Sequence, residues 1–320
     1  MDNKTNKPKL TSHQLVKKME IEKGIQFKYT SEAEAENYLS NINNYLRTAA
    51  YRKNFQYYRN GPNIGKYIHL DFAYLQELST IDMHFRFLIS KMCLDIEHDL
   101  KVQLLKNVEN DPTTDGYDIV EQFLSQNTFI INKLESTSSS PFTGDLLHKY
   151  FTITRQAHLN RITAFDDCPV WVLLELLTFG DFIHFYAFYY SSRGLSHLSK
   201  PVVNLVKSLR NGTAHNNCIL ADLSHGTSHV PPEISQAISH IATIHSNQRR
   251  KKLSCRPMLE FTTLLYVYKL VVSDKVKYYR IIELKNLFFV RMPEKKNFFK
   301  NNQLLKSNYD FACKVISAFF

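Results

Sequence analysis

The fold class follows first from the stretch 72-FAYLQELSTIDMHFRFLISKMCLDIEHDLKVQLLKNV-108. Apolar residues recur along it in steps of three and four, as at Leu75, Leu78 and Ile81, while charged residues fill the opposite side. This is the pattern of a long amphipathic helix. Pro112 limits it, because proline disfavours helical backbone in the residue before it. The stretch therefore predicts one helix over about residues 72–108.

The rest of the chain also favours helices. Capping boxes at Thr11–Gln14 and Ser31–Glu34 predict two helix starts near the N-terminus. The 320 residues include only 9 glycines and 10 prolines, and they are 44% hydrophobic and 22% charged. This composition excludes a disordered chain and disfavours turn-rich β folds and Rossmann enzymes. We predict an all-α protein.

A hydrophobic stretch at residues 169–190 approaches the length of a membrane span. Glu175, Asp181 and His184 interrupt it, and such groups are costly in lipid. We therefore expect two short buried helices, with Trp171 in the core, and no membrane association. Residues 145–161 are also predicted to be helical.

We expect three parts along the chain. They are an N-terminal helical unit at residues 1–65, a central helical domain at 66–245 and a basic C-terminal region at 246–320. The region Lys275–Phe289 is rich in β-branched and aromatic residues, so its sequence is compatible with helix or strand. The five cysteines are scattered and no secretory signal is evident, which predicts a reducing cytoplasm.

The net charge of +10 lies entirely in the last quarter of the chain. Residues 246–320 hold 16 Lys and Arg against 5 Asp and Glu, whereas residues 1–245 hold 24 against 25. A basic face of this kind attracts polyanions, because neutralised phosphates release counterions. On charge alone, a basic surface that is simply solvated explains the pattern equally well. As RNA-binding candidates we take seven cations: Arg249, Arg250, Lys251, Lys252, Lys275, Lys277 and Arg280.

Arg210-Asn211-Gly212-Thr213-Ala214-His215 is the segment whose residue types suit a chemical reaction. An arginine can bracket a phosphate, and a histidine titrates near neutral pH. Together they suit RNA cleavage in which the ribose 2′-hydroxyl attacks its own phosphate, so that no metal-bound water is required. The spacing alone is weak evidence for catalysis, because about one arginine with a histidine five to seven residues later is expected by chance in this chain. The alternative is a structural role, in which Arg210 is a cation at a helix end and His215 is an ordinary polar residue. Gly212 would allow the chain to bend directly after Asn211.

An ordered set of short motifs strengthens this interpretation. The set is Lys7-Pro8-Lys9-Leu10-Thr11, Ile42-Asn43-Asn44-Tyr45-Leu46-Arg47, Ile81–Arg86, Asp95-Ile96-Glu97, Pro169–Glu175, Thr178-Phe179-Gly180, and Leu205–Asn211 with His215. In this order it resembles the abortive-infection (Abi) family of bacterial phage-resistance proteins, the AbiD/AbiF-like group, from about Lys7 to Leu220. Two details depart from the family pattern. Asn43–Arg47 replaces Asn-Tyr-Tyr-Arg-Leu, and Gly212 replaces a residue that is usually apolar.

The resemblance implies a HEPN-like helical bundle whose ribonuclease members use an Arg–polar–x3–His motif. It maps Arg210 and His215 onto the catalytic pair and Asn211 onto the polar position between them. Related ribonucleases, including type VI CRISPR effectors, combine two such motifs into one site. This chain has one, so the resemblance implies a homodimer.

Four further residues have two interpretations each. Asp82 and Glu97 either orient His215 or simply lie on a solvated helix face. His225 and His229 have the spacing of a metal pair, but no cysteine or carboxylate completes a ligand set. We therefore predict no metal and no cofactor.

We predict a cytoplasmic, metal-independent endoribonuclease of phage defence that leaves 2′,3′-cyclic phosphate ends and stays inactive until infection. Its expected partners are substrate RNA and a second copy of the chain, together with a regulatory RNA that restrains the enzyme or a phage-derived trigger that activates it. The alternative is a non-cleaving HEPN module that binds RNA or protein as a sensor or scaffold.

Overall fold

The computed structural model describes residues 8–156 and 161–320. The all-α prediction is confirmed, with one short hairpin as the exception. Lys7, the first residue of the resemblance, lies outside the described residues. The helices before the hairpin are α1 Ser12–Ile21, α2 Glu32–Asn37, α3 Tyr45–Ala50, α4 Phe72–Glu109, α5 Asp118–Gln126, α6 Thr128–Thr137 and α7 Pro141–Tyr150.

The hairpin pairs β1 Thr152–Gln156 with β2 Arg161–Asp166 in antiparallel register. The helices after it are α8 Val170–Leu176, α9 Phe179–Ser192, α10 Lys200–Ala214, α11 Pro232–Ser239, α12 Ser246–Leu253, α13 Arg256–Val271, α14 Asp274–Lys285, α15 Lys296–Phe299 and α16 Gln303–Phe319. The C-terminal region is thus helical where the sequence left helix or strand open. None of the helices in the described ranges is both long and apolar enough to cross a membrane.

Sequence signals set several of these boundaries. The Thr11–Gln14 and Ser31–Glu34 capping boxes are both present at the starts of α1 and α2. The long helix α4 begins after Asp71, whose carboxylate accepts hydrogen bonds from the backbone N–H groups of Ala73 and Lys28 at 3.0 and 2.8 Å. Its 38 residues confirm the helix predicted from the 72–108 pattern.

One helix prediction was wrong. Residues 145–161 do not form a helix throughout, because α7 ends at Tyr150 and β1 begins at Thr152. Thr152, Ile153 and Thr154 are three consecutive β-branched residues, and this local pattern favours strand over helix. Residues 157–160 of that prediction lie outside the described residues.

The chain groups into two compact units whose borders differ from the three parts expected from the sequence. The first unit holds residues 8–93, 208–270 and 274–320, and the second holds residues 94–207 and 271–273. The sequence could not show these borders, because each falls inside or beside a continuous helix rather than at a linker.

Aromatic residues form the centre of each unit. In the first, Phe85, Phe261 and Phe288 are buried, and the rings of Phe261 and Phe288 stack with centroids 5.4 Å apart. In the second, Phe123 of α5 meets Phe185 of α9 edge to face at 5.0 Å. The two buried helices predicted within residues 169–190 are confirmed as α8 and α9.

A buried carboxylate in the first unit fixes the segment that follows α10. Asp82 of α4 is fully buried and accepts hydrogen bonds from the Tyr51 hydroxyl and the Leu220 backbone N–H, both at 2.8 Å. It also forms an ion pair with Arg86 one turn away, which is itself buried. Burial raises the pKa of the Asp82 carboxyl, and these hydrogen bonds and the Arg86 charge oppose that rise.

Replacing Asp82 should therefore be costly. In Asp82→Ala, the Arg86 guanidinium stays buried without its counter-ion, so we expect the free energy of unfolding to fall by roughly 3–5 kcal/mol. Urea denaturation of Asp82→Ala and of the exposed Glu109→Ala on the same helix would measure this. The Glu109 variant should stay within about 0.5 kcal/mol of the wild type. Equal stability of the two variants would contradict the assignment.

Candidate active site

The Arg210–His215 segment forms the end of α10. Helical hydrogen bonding continues to His215, whose backbone N–H donates to the Asn211 carbonyl at 2.9 Å. The chain then turns at Asn216, which has a φ of 55° in the left-handed region. The N–H groups of Asn216 and Asn217 donate to Thr213 and Gly212 at 3.0 and 2.9 Å. This pair of bonds is a Schellman motif, and it makes His215 the C-cap residue, directly after the last residue of α10.

Gly212 does not provide the bend expected from the sequence. It lies inside α10, and the turn comes four residues later at Asn216. A Cβ on Gly212 would lie 3.1 Å from the Ile219 Cδ1 atom. Glycine at this position therefore lets residue 219 pack closely against the helix that carries the motif.

The side chains of the motif are available to a ligand. Asn211 and His215 are exposed and Arg210 is half-buried. Across residues 8–156 and 161–320, no hydrogen bond or ion pair engages the Arg210 guanidinium or the His215 imidazole. Arginines that are partly buried are usually paired, so an Arg210 without a counter-ion has its donors free for an anion.

The helix sets where these side chains lie relative to one another. Asn211 and His215 are four residues apart and share one side of α10, since a helix has 3.6 residues per turn. Arg210 and His215 are five residues apart, so their Cα atoms are separated by about 140° around the axis and about 7.5 Å along it. One copy of the helix therefore presents Arg210 and His215 in different directions.

Arg47 holds the turn that follows His215. Its guanidinium donates to the backbone carbonyl of Asn216, and its Nη2 lies 3.4 Å from the Asn216 Oδ1 atom. Arg47 belongs to α3 and occurs in one of the motifs that carry the family resemblance. Sequence reasoning gave it no role. The signal available was only its presence in that motif, because its contact lies 169 residues further along the chain.

Asp82 and Glu97 have different surroundings. Asp82 acts on the backbone of Leu220, five residues after His215, and not on the imidazole itself. Glu97 belongs to the second unit, where its Oε1 lies 3.8 Å from the Nζ of Lys101. Neither carboxylate makes a hydrogen bond to His215, so orientation of the imidazole by either residue stays a prediction.

The seven RNA-binding candidates separate into two groups. Arg249, Arg250 and Lys251 lie on α12 as exposed or half-buried cations, and Lys275 is exposed at the start of α14. We call the first three the α12 cations.

The other three candidates have protein partners. Lys252 is buried and donates to the Ser307 hydroxyl at 2.7 Å, and burial lowers its pKa. Lys277 forms an ion pair with Asp274 at 3.3 Å, and Arg280 forms one with Glu283 at 3.0 Å. Lys252 in particular is too deeply buried to contact RNA.

Trp171 was expected in the core, and that prediction was wrong. Its side chain is 48% exposed and meets the Tyr117 ring edge to face at 5.6 Å. It lies on α8, a helix whose buried residues are Val170, Val172, Leu173 and Leu174, so position 171 falls on the outer side. Elsewhere, Tyr278 and Tyr279 are exposed while Phe288 is buried, so the aromatic residues of the basic region are divided between surface and core.

No metal-binding cluster of three or more His, Cys, Asp or Glu side chains occurs within the described ranges. The Nδ1 atom of His225 donates to the Lys251 backbone carbonyl oxygen at 3.1 Å.

Comparison with known proteins gives one match. No curated protein and no solved structure matches the chain. The family model for Abi-like proteins matches residues 37–221, a span that contains Arg47, Asp82 and the whole of α10 with His215. The resemblance to the abortive-infection family is thereby confirmed. Since the match covers more than half of the chain, this protein is a member of the Abi-like protein family.

Proposed function

We propose that this protein is a metal-independent endoribonuclease of abortive-infection phage defence, with Arg210 and His215 as its catalytic pair. The Abi-like family points to the defence role. The observation that carries the proposed chemistry is the end of α10. There, within the family-matched residues, a half-buried arginine and an exposed histidine have no side-chain partner among the residues that the structure describes.

The proposed reaction is an internal transfer at phosphorus. His215 removes the proton of the ribose 2′-hydroxyl, and the 2′-oxygen attacks the adjacent phosphorus. The bond to the 5′-oxygen breaks, and that oxygen takes up a proton from a second acid. The products are a 2′,3′-cyclic phosphate and a 5′-hydroxyl. Arg210 stabilises the charge that develops on the phosphate oxygens, and Asn211 orients the scissile group.

A homodimer supplies the second acid in this proposal. Because Arg210 and His215 lie about 140° apart on one helix, a single copy does not direct both groups at one phosphate. Two copies of α10 that meet at their ends bring the arginine of each toward the histidine of the other. The resulting site has HEPN-type composition, with two arginines and two histidines.

The α12 cations are the proposed RNA-holding surface, together with Lys275. Arg249, Arg250 and Lys251 form no ion pair in the described part of the chain. The carboxylates of the basic region are largely engaged, as Glu260 pairs with Arg256 and Glu283 with Arg280. No ion pair among the described residues therefore neutralises the positive charge of α12, which favours a polyanionic partner.

A non-cleaving module is the second candidate function. The single Arg–polar–x3–His motif favours it, because one copy would bind phosphate through Arg210 without completing the acid–base pair. In that case a phage-derived or host partner would carry the toxic activity.

Removing His215 should abolish most cleavage. We expect His215→Ala to reduce the rate of RNA cleavage by about 10²–10⁴-fold, as for the loss of a general acid–base. His229→Ala is the matched control, since His229 is also exposed and lies outside the family-matched residues. Sequencing of RNA ends from cells that express each variant would measure the effect. Equal cleavage by His215→Ala and the wild type, with unchanged circular dichroism, would refute the assignment.

Cleavage should persist without divalent ions. The 2′-hydroxyl is the nucleophile in this reaction, so the cleavage rate in excess EDTA should stay within about twofold of the rate without EDTA. The product should carry a cyclic phosphate. The product is identified if its 3′ ends resist ligation after phosphatase treatment alone, but accept it once the cyclic phosphate has been opened by acid and the resulting monophosphate removed by phosphatase. Activity that EDTA abolishes and Mg²⁺ or Mn²⁺ restores would indicate a two-metal nuclease instead.

Neutralising the α12 cations should weaken RNA binding without affecting the chemistry. In the Arg249→Gln, Arg250→Gln, Lys251→Gln variant, each lost phosphate contact should reduce the slope of log affinity against log salt by about 0.7 for single-stranded RNA. The rate at saturating RNA should be unchanged. Filter binding at three salt concentrations would test this.

The matched control for that experiment replaces Lys9, Lys53 and Lys106 by Gln. These three lysines are exposed and lie outside the basic region, and the net charge changes by the same amount. If both triple variants lower the affinity and the slope equally, the α12 cations are not the RNA-holding surface.

A further inference from the structure

The first unit contains a large apolar cavity away from the motif side chains. Its volume is about 520 Å³. Helices α4, α13 and α16 and the chain between α14 and α16 supply most of its lining. The apolar lining includes Leu78, Ile81, Phe85, Phe261, Phe288 and Phe299.

Aromatic rings form one side of this cavity. Phe261 and Phe288 are parallel within 5°, and Tyr309 continues the stack with its ring centroid 6.4 Å from that of Phe288. The Tyr309 hydroxyl donates to the Phe288 carbonyl at 2.8 Å, which fixes the ring in this position. A wall of aromatic rings favours an occupant with apolar rings, because aromatic rings pack well offset-stacked or edge to face.

Three lysines are among the residues that line the cavity. Lys296, Lys300 and Lys306 line the cavity and are exposed, against a single acidic residue, Asp310. No ion pair of these lysines is found over the described ranges. An apolar interior with unpaired cations at its edge is complementary to a molecule that is apolar at one end and anionic at the other.

The cavity wall includes the chain that follows His215. Leu220 and Leu223 both line it. The Leu223 N–H donates to the Asn54 Oδ1 atom at 2.8 Å, and the Leu223 carbonyl accepts from the Asn308 side chain at 3.0 Å. An occupant would therefore contact the same short segment that Asp82 and Arg47 hold in place.

We propose that this cavity binds a small organic anion with apolar rings. Its volume lies within the range of about 300–1,000 Å³ that is typical of small-molecule sites, which are mostly apolar with a few polar groups. The rings of the anion pack against the aromatic wall formed by Phe261, Phe288 and Tyr309, and its acidic group lies among the three lysines. This binding does not depend on the ribonuclease proposal.

Two fluorescent probes with related ring systems separate the apolar and anionic contributions. Anilinonaphthalene sulfonate carries an anionic group, whereas phenylnaphthylamine is neutral. The wild-type protein should bind the sulfonate with a stoichiometry of one per chain and roughly tenfold more tightly than the neutral probe. Equal affinity for the two probes, or several equivalents of sulfonate per chain, would overturn the proposal.

Variants locate the binding within the cavity. Ala312→Phe places a ring in the cavity from a buried lining position and should abolish binding of both probes. Replacing Lys296, Lys300 and Lys306 by Glu reverses three charges at exposed positions, so the fold should be retained. This triple variant should weaken binding of the sulfonate probe by roughly tenfold and leave the affinity for the neutral probe unchanged.

Reversal of the α12 cations to Glu is the matched control. It changes the net charge equally but leaves every cavity-lining residue in place. If it weakens the sulfonate as much as the lysine reversal does, the probe senses only the overall charge and the proposed site is wrong.

Discussion

The buried carboxylate of Asp82 joins three parts of the chain that are distant in sequence. It accepts from Tyr51 near the N-terminus, pairs with Arg86 on its own helix and accepts from Leu220 after α10. Burial of a charge is costly unless donors replace the lost water, and here a cation, a hydroxyl and a backbone N–H do so. Burial and the nearby Asp82 charge also raise the pKa of Tyr51, so its hydroxyl remains a donor.

The same segment has two further supports. Arg47 binds the carbonyl of Asn216, and Asn54 and Asn308 hold the backbone on both sides of Leu223. Side chains, rather than regular secondary structure, therefore satisfy much of the backbone between α10 and α11. The end of the motif helix is thus positioned by polar contacts from distant parts of the sequence.

Local features were the ones that the sequence could predict. The period of α4, the two capping boxes and the pair of helices at residues 169–190 depend on neighbouring residues, and all are present. The contacts of Arg47 and Asp82 span 169 and 138 residues, and no local pattern encodes them. Gly212 illustrates the same limit. A glycine after Arg-Asn suggests a bend locally, but its use is the close approach of Ile219.

The dependence on Asn308 has a consequence for synthesis of the chain. The ribosome completes α10 and His215 long before it reaches residue 308, and Asn308 donates to the Leu223 carbonyl that follows the motif. Asn302 likewise donates to the carbonyl of Asn54. The segment beside His215 therefore acquires its full set of hydrogen bonds only when α16 has emerged. A nascent chain that carries the motif lacks this hydrogen bond until residue 308 has been synthesised and has left the ribosome.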